Sequence, residues 1–221
     1  MAKDLIIIGA SGHGKVVADI AVRQITENGQ RRYTSIQFLD DDKTKNICGA
    51  YPVIGTTENL EQYLGMDLFI AIGDAKIRER IAERLESIHA SVPVLVHPNS
   101  VIGESVSLGQ GSVIAGGVVI NADAAIGQYC IVNTGATVDH DCVVGDYVHI
   151  APGVHICGDV HIGRGSWIGA GAAVVQGLRI CEGCMVGAGA AVVHDLKEAG
   201  TYMGVPAKCR NVLGGDTQLP P

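Results

Sequence analysis

Asp139-His140-Asp141 sets an imidazole between two carboxylates, the composition of a general base whose tautomer and charge a neighbouring anion can fix. From residue types alone, a surface histidine is an equal reading. Gly9-Ala10-Ser11-Gly12-His13-Gly14-Lys15 follows the aliphatic run Leu5–Ile8 and precedes the apolar Val16, Val17, Ile20 and Ala21. Strand, glycine-rich turn and helix in that order offer unpaired N–H groups and a helix N-terminus to an anion such as a phosphate. Val16 stands where a Walker A motif needs the Ser or Thr that holds Mg²⁺, so nucleoside triphosphate hydrolysis is not expected. The glycine spacing also departs from G-x-G-x-x-G, which weakens a dinucleotide reading. Cys181 and Cys184 form a C-x-x-C without a second ligand pair at zinc spacing, and are read as packing.

These residues need elements to position them. A second strand is predicted at Ile36–Leu39, ending in Asp40-Asp41-Asp42. A third, Leu68–Ile72, ends in Gly73-Asp74 and leads into a charged helix over 75–87. Strand ends carrying Gly and Asp are where an open parallel α/β sheet binds a ligand, although the same residue types also serve as plain turn residues. Val92–Val96 supplies a last strand before His97-Pro98-Asn99.

Beyond that point the period changes. Stepping by six from Ile102 through Leu108 and Ile114 to Val192 gives sixteen consecutive aliphatic positions. Four residues further on, each hexad carries a small or apolar residue, from Val106 and Ser112 to Ala190 and Leu196. One large and one small inward residue per six describes a three-sided coil, three short strands to an 18-residue turn. A helix would repeat at 3.6, and the segment is rich in β-branched residues and Gly. Gly109, Gly127, Gly145 and Gly163 recur at 18, as do Gly169 and Gly187, and are expected in turns that need φ > 0. Cys130, Cys142 and Cys184 fall on the small inward column, as compact hydrophobes.

Composition narrows the partners. With 47% hydrophobic and 18% charged residues the chain has ample core material, and 30 glycines against 4% aromatics suit a repeat. A formal charge of −7 without a basic cluster argues against nucleic acid. Leu5–Ile8 is too short for a signal peptide or membrane span, and seven cysteines without a compact framework suit a reducing compartment. A cytoplasmic protein is expected.

From about 99 to 197 the hexads resemble the left-handed parallel β-helix of hexapeptide-repeat acyltransferases; the hand comes from that resemblance, since left-handed crossovers are rare. Except for the tail after about Asn211, the chain resembles one family end to end. Gly-Ala-Ser-Gly-His-Gly at 9–14, the Asp pair at 40–41, Ala71-Ile72-Gly73, Asn133-Thr134-Gly135-Ala136, Asp139-His140-Asp141 and Gly204-Val205-Pro206-Ala207-Lys208 are similar to the sugar acetyltransferases related to bacterial PglD, PerB and NeuD.

The resemblance implies an α/β Rossmann-like nucleotide-sugar-binding domain over 1–98, an all-β left-handed parallel β-helix acetyltransferase domain over 99–197 and a tail over 198–221. It implies a homotrimer with acetyl-CoA in the groove between adjacent prisms. His140 matches the family's catalytic base and Asp141 its acidic partner, a position where relatives often carry the longer Glu. Asn133 matches a residue near the acceptor sugar; by residue type it is equally a ladder or turn Asn. Gly12, His13 and Gly14 would hold a pyrophosphate, with Asp40, Asp41 and Gly73 around the nucleoside. His149 would contact the cofactor, the backbones of Ala170 and Ala188 its pantetheine arm, and Lys208 and Arg210 its phosphates.

The implied activity is acetyl-CoA-dependent N-acetylation of a nucleotide-linked amino sugar, a 4-amino-4,6-dideoxyhexose, by direct attack. An acyl-enzyme is not expected, because the inward cysteines are too buried to act as nucleophiles. A metal is not expected either: His149, His155 and His161 fall on three successive faces, and His194 lies three coils from His140, roughly 14 Å at about 4.8 Å per strand. A sialic acid O-acetyltransferase and a non-catalytic nucleotide-sugar-binding solenoid are the alternatives.

Overall fold

Leu5 and Ile7 pack to one side of a parallel sheet and Ile6 and Ile8 to the other, which is why this strand reads as an unbroken aliphatic run. The computed structural model describes residues 3–26 and 28–210. Its first unit runs β1 (Lys3–Ile8), α1 (Gly12–Val22), β2 (Tyr33–Leu39), β3 (Ile47–Cys48), β4 (Tyr51–Gly55), β5 (Asp67–Ile70) and α2 (Ala75–Ser87). The sheet order is β3-β4-β2-β1-β5, parallel except for the β3–β4 pair. Val17, Ile20 and Ala21 of α1 join the core on the Leu5 face, and Ile81 and Leu85 of α2 the core on the Ile6 face. With β2 on one side of β1 and β5 on the other, the C-terminal ends of these strands open a crevice at the switch point.

The expected strand at Val92–Val96 is shorter and belongs elsewhere. Only Leu95–Val96 is extended, and it pairs with Val113–Ile114 as the first rung of the coil. The β-helix is built of two-residue strands in three parallel sheets whose partners lie 18 apart, as in Ile131 to His149 to Trp167, Thr137 to His155 to Ala173, and Val143 to His161 to Arg179. From Ile114 onward every large inward residue of the six-step series is at most 3% exposed. Ile102 is 36% exposed because Val101–Ile102 is the terminal strand of its sheet, with nothing stacked beneath it.

Two sets of turn residues do different work, and this corrects the expectation for the glycines. Fifteen successive positions six apart, from Ser105 to Gly189, have φ between 52° and 74°; they include Asp123, Tyr129, Asp141, Tyr147 and Asp159 as well as nine glycines. The 18-step glycines are not among them. A Cβ on Gly169 would lie 2.6 Å from Ala188 N and one on Gly145 2.8 Å from Arg164 N, so these positions are small because the next coil's backbone passes over them. The inward Ser and Cys residues are also more than filler. Ser112 Oγ, Cys130 Sγ and Ser166 Oγ donate to the carbonyls of Gly127, Gly145 and Cys181, each 15 residues on, at 2.8–3.1 Å. Ser112 and Ser166 also accept from the N–H groups of Cys130 and Cys184.

Residues expected as a tail continue the coil. Thr201–Met203 pairs parallel with Met185–Val186, and Lys208–Cys209 folds back antiparallel on it, covering the end of the stack. The rest of that stretch, 211–221, lies outside the described residues. No helix among the described residues is long and apolar enough to cross a membrane.

Candidate active site

A cleft of about 380 Å³ opens at the C-terminal ends of β1, β2 and β5, lined by Gly9, Ser11, Asp40, Asp41, Thr57, Gly73, Arg80 and Arg84 among others. Gly9 has φ 107°, and a Cβ there would press on the Ala71 carbonyl. The three residues expected at a pyrophosphate separate in role. Gly12 is exposed with open space around it. Gly14 is buried, and a Cβ on it would collide with the Gly9 carbonyl, so it serves the packing of α1 on the sheet and can offer only its backbone. His13 turns its ring away from the cleft, toward the β-helix.

Asp40 and Asp41 line the cleft but are already engaged. Asp40 accepts from the N–H groups of Ala10 and Asp42 and from Lys45 Nζ, at 2.7–3.0 Å. Burial works to raise its carboxyl, and those donors outweigh it and hold it below the usual range. Asp41 accepts from the Thr57 N–H and hydroxyl. Arg80 and Arg84 were not foreseen. With Ile77 and Ile81 they follow the one-turn spacing of a single helix face, a stripe visible in the sequence once α2 is known to border the cleft.

The cleft floor is fastened to the β-helix by Arg78, 1% exposed. Its guanidinium donates to the carbonyls of Ile72 and Gly73 at 2.8 Å and, across the junction, to those of Tyr129 at 2.7 Å and Tyr147 at 2.6 Å. The two tyrosines, one coil apart, stack at 5.4 Å. Burial lowers the Arg78 pKa to about 10, which leaves it charged at neutral pH. Four carbonyls in place of a carboxylate satisfy this buried cation.

Beside it, His149 is 9% exposed, stacked on Trp167 at 4.8 Å and facing His13 at 6.4 Å. Burial, then His13 and Arg78, lower its pKa to about 3, while the Gly73 carbonyl acts weakly in the other direction. Burial and Arg78 take His13 to about 4. His13 Nε2 and His149 Nδ1 are buried without a hydrogen bond. Asn133 Nδ2 is 3.5 Å from His149 Nε2. The structure thus brings together His13, Gly73, Asn133 and His149 from three distant stretches of sequence.

His140 stands elsewhere, on an exposed corner between the Thr137–Val138 and Val143–Val144 strands. Its Nδ1 is 2.7 Å from Asp141 Oδ2, so the shorter carboxylate does reach the ring. This bond, followed by the charge of Asp139, raises the His140 pKa above its ordinary value. Asp139 in turn accepts from the His140 N–H and from Asn121 Nδ2. Gly158, one coil on, lies under the ring: a Cβ there would sit 2.6 Å from His140 Nε2. Nδ1 is thereby held by a carboxylate, and Nε2 is left to exchange a proton.

Ala170 and Ala188 are exposed on the corner that also carries Asn133, between the sheet of His149 and that of Thr137. Their small side chains, followed by left-handed Gly171 and Gly189, allow a long ligand to approach the backbone. One face of the prism separates that corner from His140. Lys208 is exposed on the closing strand. Among the described residues no group of three His, Cys, Asp or Glu is placed to hold a metal ion.

Residues 4–85 match the family described as the PglD N-terminal domain. The UDP-N-acetylbacillosamine N-acetyltransferase of Bacillus subtilis (strain 168) is 34% identical over 117 residues, 51% of each chain, so the match spans about half the length of that curated relative. Among solved structures, the acetyltransferase domain of PglB from Neisseria gonorrhoeae FA1090 in complex with acetyl coenzyme A superposes with a TM-score of 0.88 at 40% identity, covering 95% of this chain and 100% of that one. PerB from Caulobacter crescentus, in complex with CoA and GDP-perosamine, superposes with a TM-score of 0.84 at 37% identity, covering 94% and 97%.

Proposed function

Because the chain belongs to the family of the PglB and PerB acetyltransferases, we propose that it transfers the acetyl group of acetyl-CoA to the amine of a nucleotide-linked 4-amino-4,6-dideoxyhexose. The observation that carries this reading is the His140–Asp141 pair at an outward corner. With Nδ1 committed to Asp141, Nε2 accepts the amine proton as the nitrogen lone pair attacks the thioester carbonyl. The C–N bond forms and the carbonyl electron pair moves to oxygen. When the oxyanion collapses, the C–S bond breaks and the departing CoA sulfur takes the proton from the imidazolium. Asp139 and Asp141 favour that imidazolium. Transfer is direct, since Cys130, Cys142 and Cys184 are buried inside the coil, out of reach of an acyl donor in solution, and burial pushes their thiols up.

Asn133 meets the acceptor sugar, and His149, Ala170 and Ala188 meet CoA, with Lys208 at its phosphates. The orphaned Nδ1 of His149 and the small exposed alanines fit such a ligand. Asn133, Ala170 and Ala188 share one corner of the prism, His149 lies on the strand leading to it, and His140 occupies the next corner. A homotrimer of prisms packed side by side joins the two corners across a seam, giving each site residues from two protomers. The N–H groups at the start of α1, where Ser11 makes no side-chain cap and no acidic residue occupies the first turn, hold the pyrophosphate through Gly12, His13 and Gly14. The nucleoside lies in the cleft against Asp40, Asp41 and Gly73. We place the enzyme in the cytoplasm, where thiols stay reduced.

The test is acetyl-CoA offered with UDP-, GDP- and dTDP-linked 4-amino sugars beside free sialic acid, with release of the CoA thiol as readout. Release with an amino sugar is expected. Release with sialic acid alone would make it an O-acetyltransferase, and CoA binding by calorimetry without release on any acceptor would make it a binding module.

A further inference from the structure

The thiols of Cys181 and Cys184 take no part in that reaction, yet their sulfurs lie 3.3 Å apart across the turn Glu182-Gly183. The packing columns of the coil explain one of them. Cys184 continues the inward column of Ser112, Cys130, Val148 and Ser166. Cys181 breaks its own column: the equivalent positions one to four coils earlier are Gly163, Gly145, Gly127 and Gly109, where a side chain would strike the next coil. Here the stack is ending, and a sulfur replaces the hydrogen, pointed at its neighbour.

We propose that Cys181 and Cys184 are an oxidation site, closing to a disulfide in reaction with a peroxide. The ends of a four-residue turn lie within about 7 Å at Cα, a range that overlaps the roughly 4.4–6.8 Å that a disulfide bridges. Gly183, at φ 67°, makes the turn without strain, and the sulfurs need to close by only roughly 1 Å. The two thiols differ in access. Cys181 is half-buried and borders an open depression with His161, Arg179, Asp195 and Lys197, so an oxidant reaches it first. Cys184 is buried and directs its S–H at the Glu198 carbonyl. Its burial makes it second in order, and burial, then the contact with Cys181, pushes its thiol up.

The Cys181 sulfur attacks the peroxide, the O–O bond breaks, and a sulfenic acid and one water form. The Cys184 sulfur then attacks the Cys181 sulfur, the S–O bond breaks, and hydroxide leaves as a second water with the Cys184 proton. Two thiols are oxidised and one peroxide is reduced.

The experiment treats the native full-length chain with hydrogen peroxide, alkylates the remaining thiols and maps the tryptic peptide that follows Arg179, which contains both cysteines. The expected peptide is unalkylated and lighter by two hydrogens, and dithiothreitol restores both alkylation sites. In Cys184→Ser, Cys181 should accumulate as a sulfenic acid trapped by dimedone, and Cys209→Ser should still form the bridge. Full alkylation of both cysteines after peroxide would overturn the proposal, as would a bridge to Cys209 or modification of Cys184 ahead of Cys181.

Discussion

His13 and His149 face one another across the junction of the sheet unit and the β-helix, 6.4 Å between ring centroids, and burial keeps both uncharged. Their folded-state pKa values, about 4 and about 3, lie below the ordinary 6.5 of an unfolded chain. Their contribution is complete above that value and is lost as pH falls, because the unfolded chain takes up protons that the folded one refuses. Urea unfolding between about pH 7 and 5 should show stability falling by up to about 1.4 kcal/mol per pH unit for each histidine. A His13→Gln, His149→Gln double variant should flatten that limb; an unchanged slope would mean the pair is not buried and neutral.

Arg78→Met removes the donor of four hydrogen bonds and leaves the Tyr129, Tyr147, Ile72 and Gly73 carbonyls unpaired. A loss of about 3 kcal/mol or more is expected in chemical unfolding. Arg78→Lys should recover little, because an ammonium lacks the planar fork that reaches all four. Since Gly73 borders the cleft, the KM for the sugar acceptor should rise more than that for acetyl-CoA in whichever variant folds.

Gly158→Ala adds a methyl where the His140 ring now lies. Gly158 is not in the left-handed region, so the backbone accepts alanine and the melting temperature should barely move. The imidazole must swing aside, and kcat should fall about ten- to a hundredfold at nearly constant KM. Wild-type kcat would show that the ring's present position is irrelevant to turnover.

Asp141→Asn tests the orienting bond. Asn tolerates the left-handed backbone at φ 60°, so the turn should persist. A general base works in its neutral form, so kcat/KM rises with pH through the His140 pKa, which Asp141 and Asp139 hold above the ordinary histidine value. The variant should move that acid limb to lower pH and lower its plateau, and Asp141→Glu should retain most of both. A limb unmoved by Asp141→Asn would separate the carboxylate from the titrating group.

The coil was readable in the sequence because a solenoid repeats one physical requirement: the six-step aliphatics from Ile114 to Val192 are buried as their period demands. The turn chemistry was less readable. The conspicuous glycine column marks close approach between coils, whereas the left-handed column mixes Gly with Asp, Tyr and Ser and shows no single residue type. Of the candidate site, the His140–Asp141 bond follows from adjacency along the chain. Arg78 left no signal, because an arginine among Lys76, Glu79 and Arg80 looks like part of a solvated helix face until the β-helix is docked against it. The meeting of His13 with His149 is likewise set by how the two units pack, 136 residues apart in sequence, and no local pattern encodes it.

The most direct measurement compares His140→Ala with the wild-type chain at saturating acetyl-CoA and amino-sugar acceptor, following thiol release. His140 is exposed and its side chain supports no core contact, so the circular dichroism and melting temperature should match wild type. Turnover should drop at least about a hundredfold, the lower end of what a general base contributes. A folded His140→Ala variant that turns over at the wild-type rate would contradict the account.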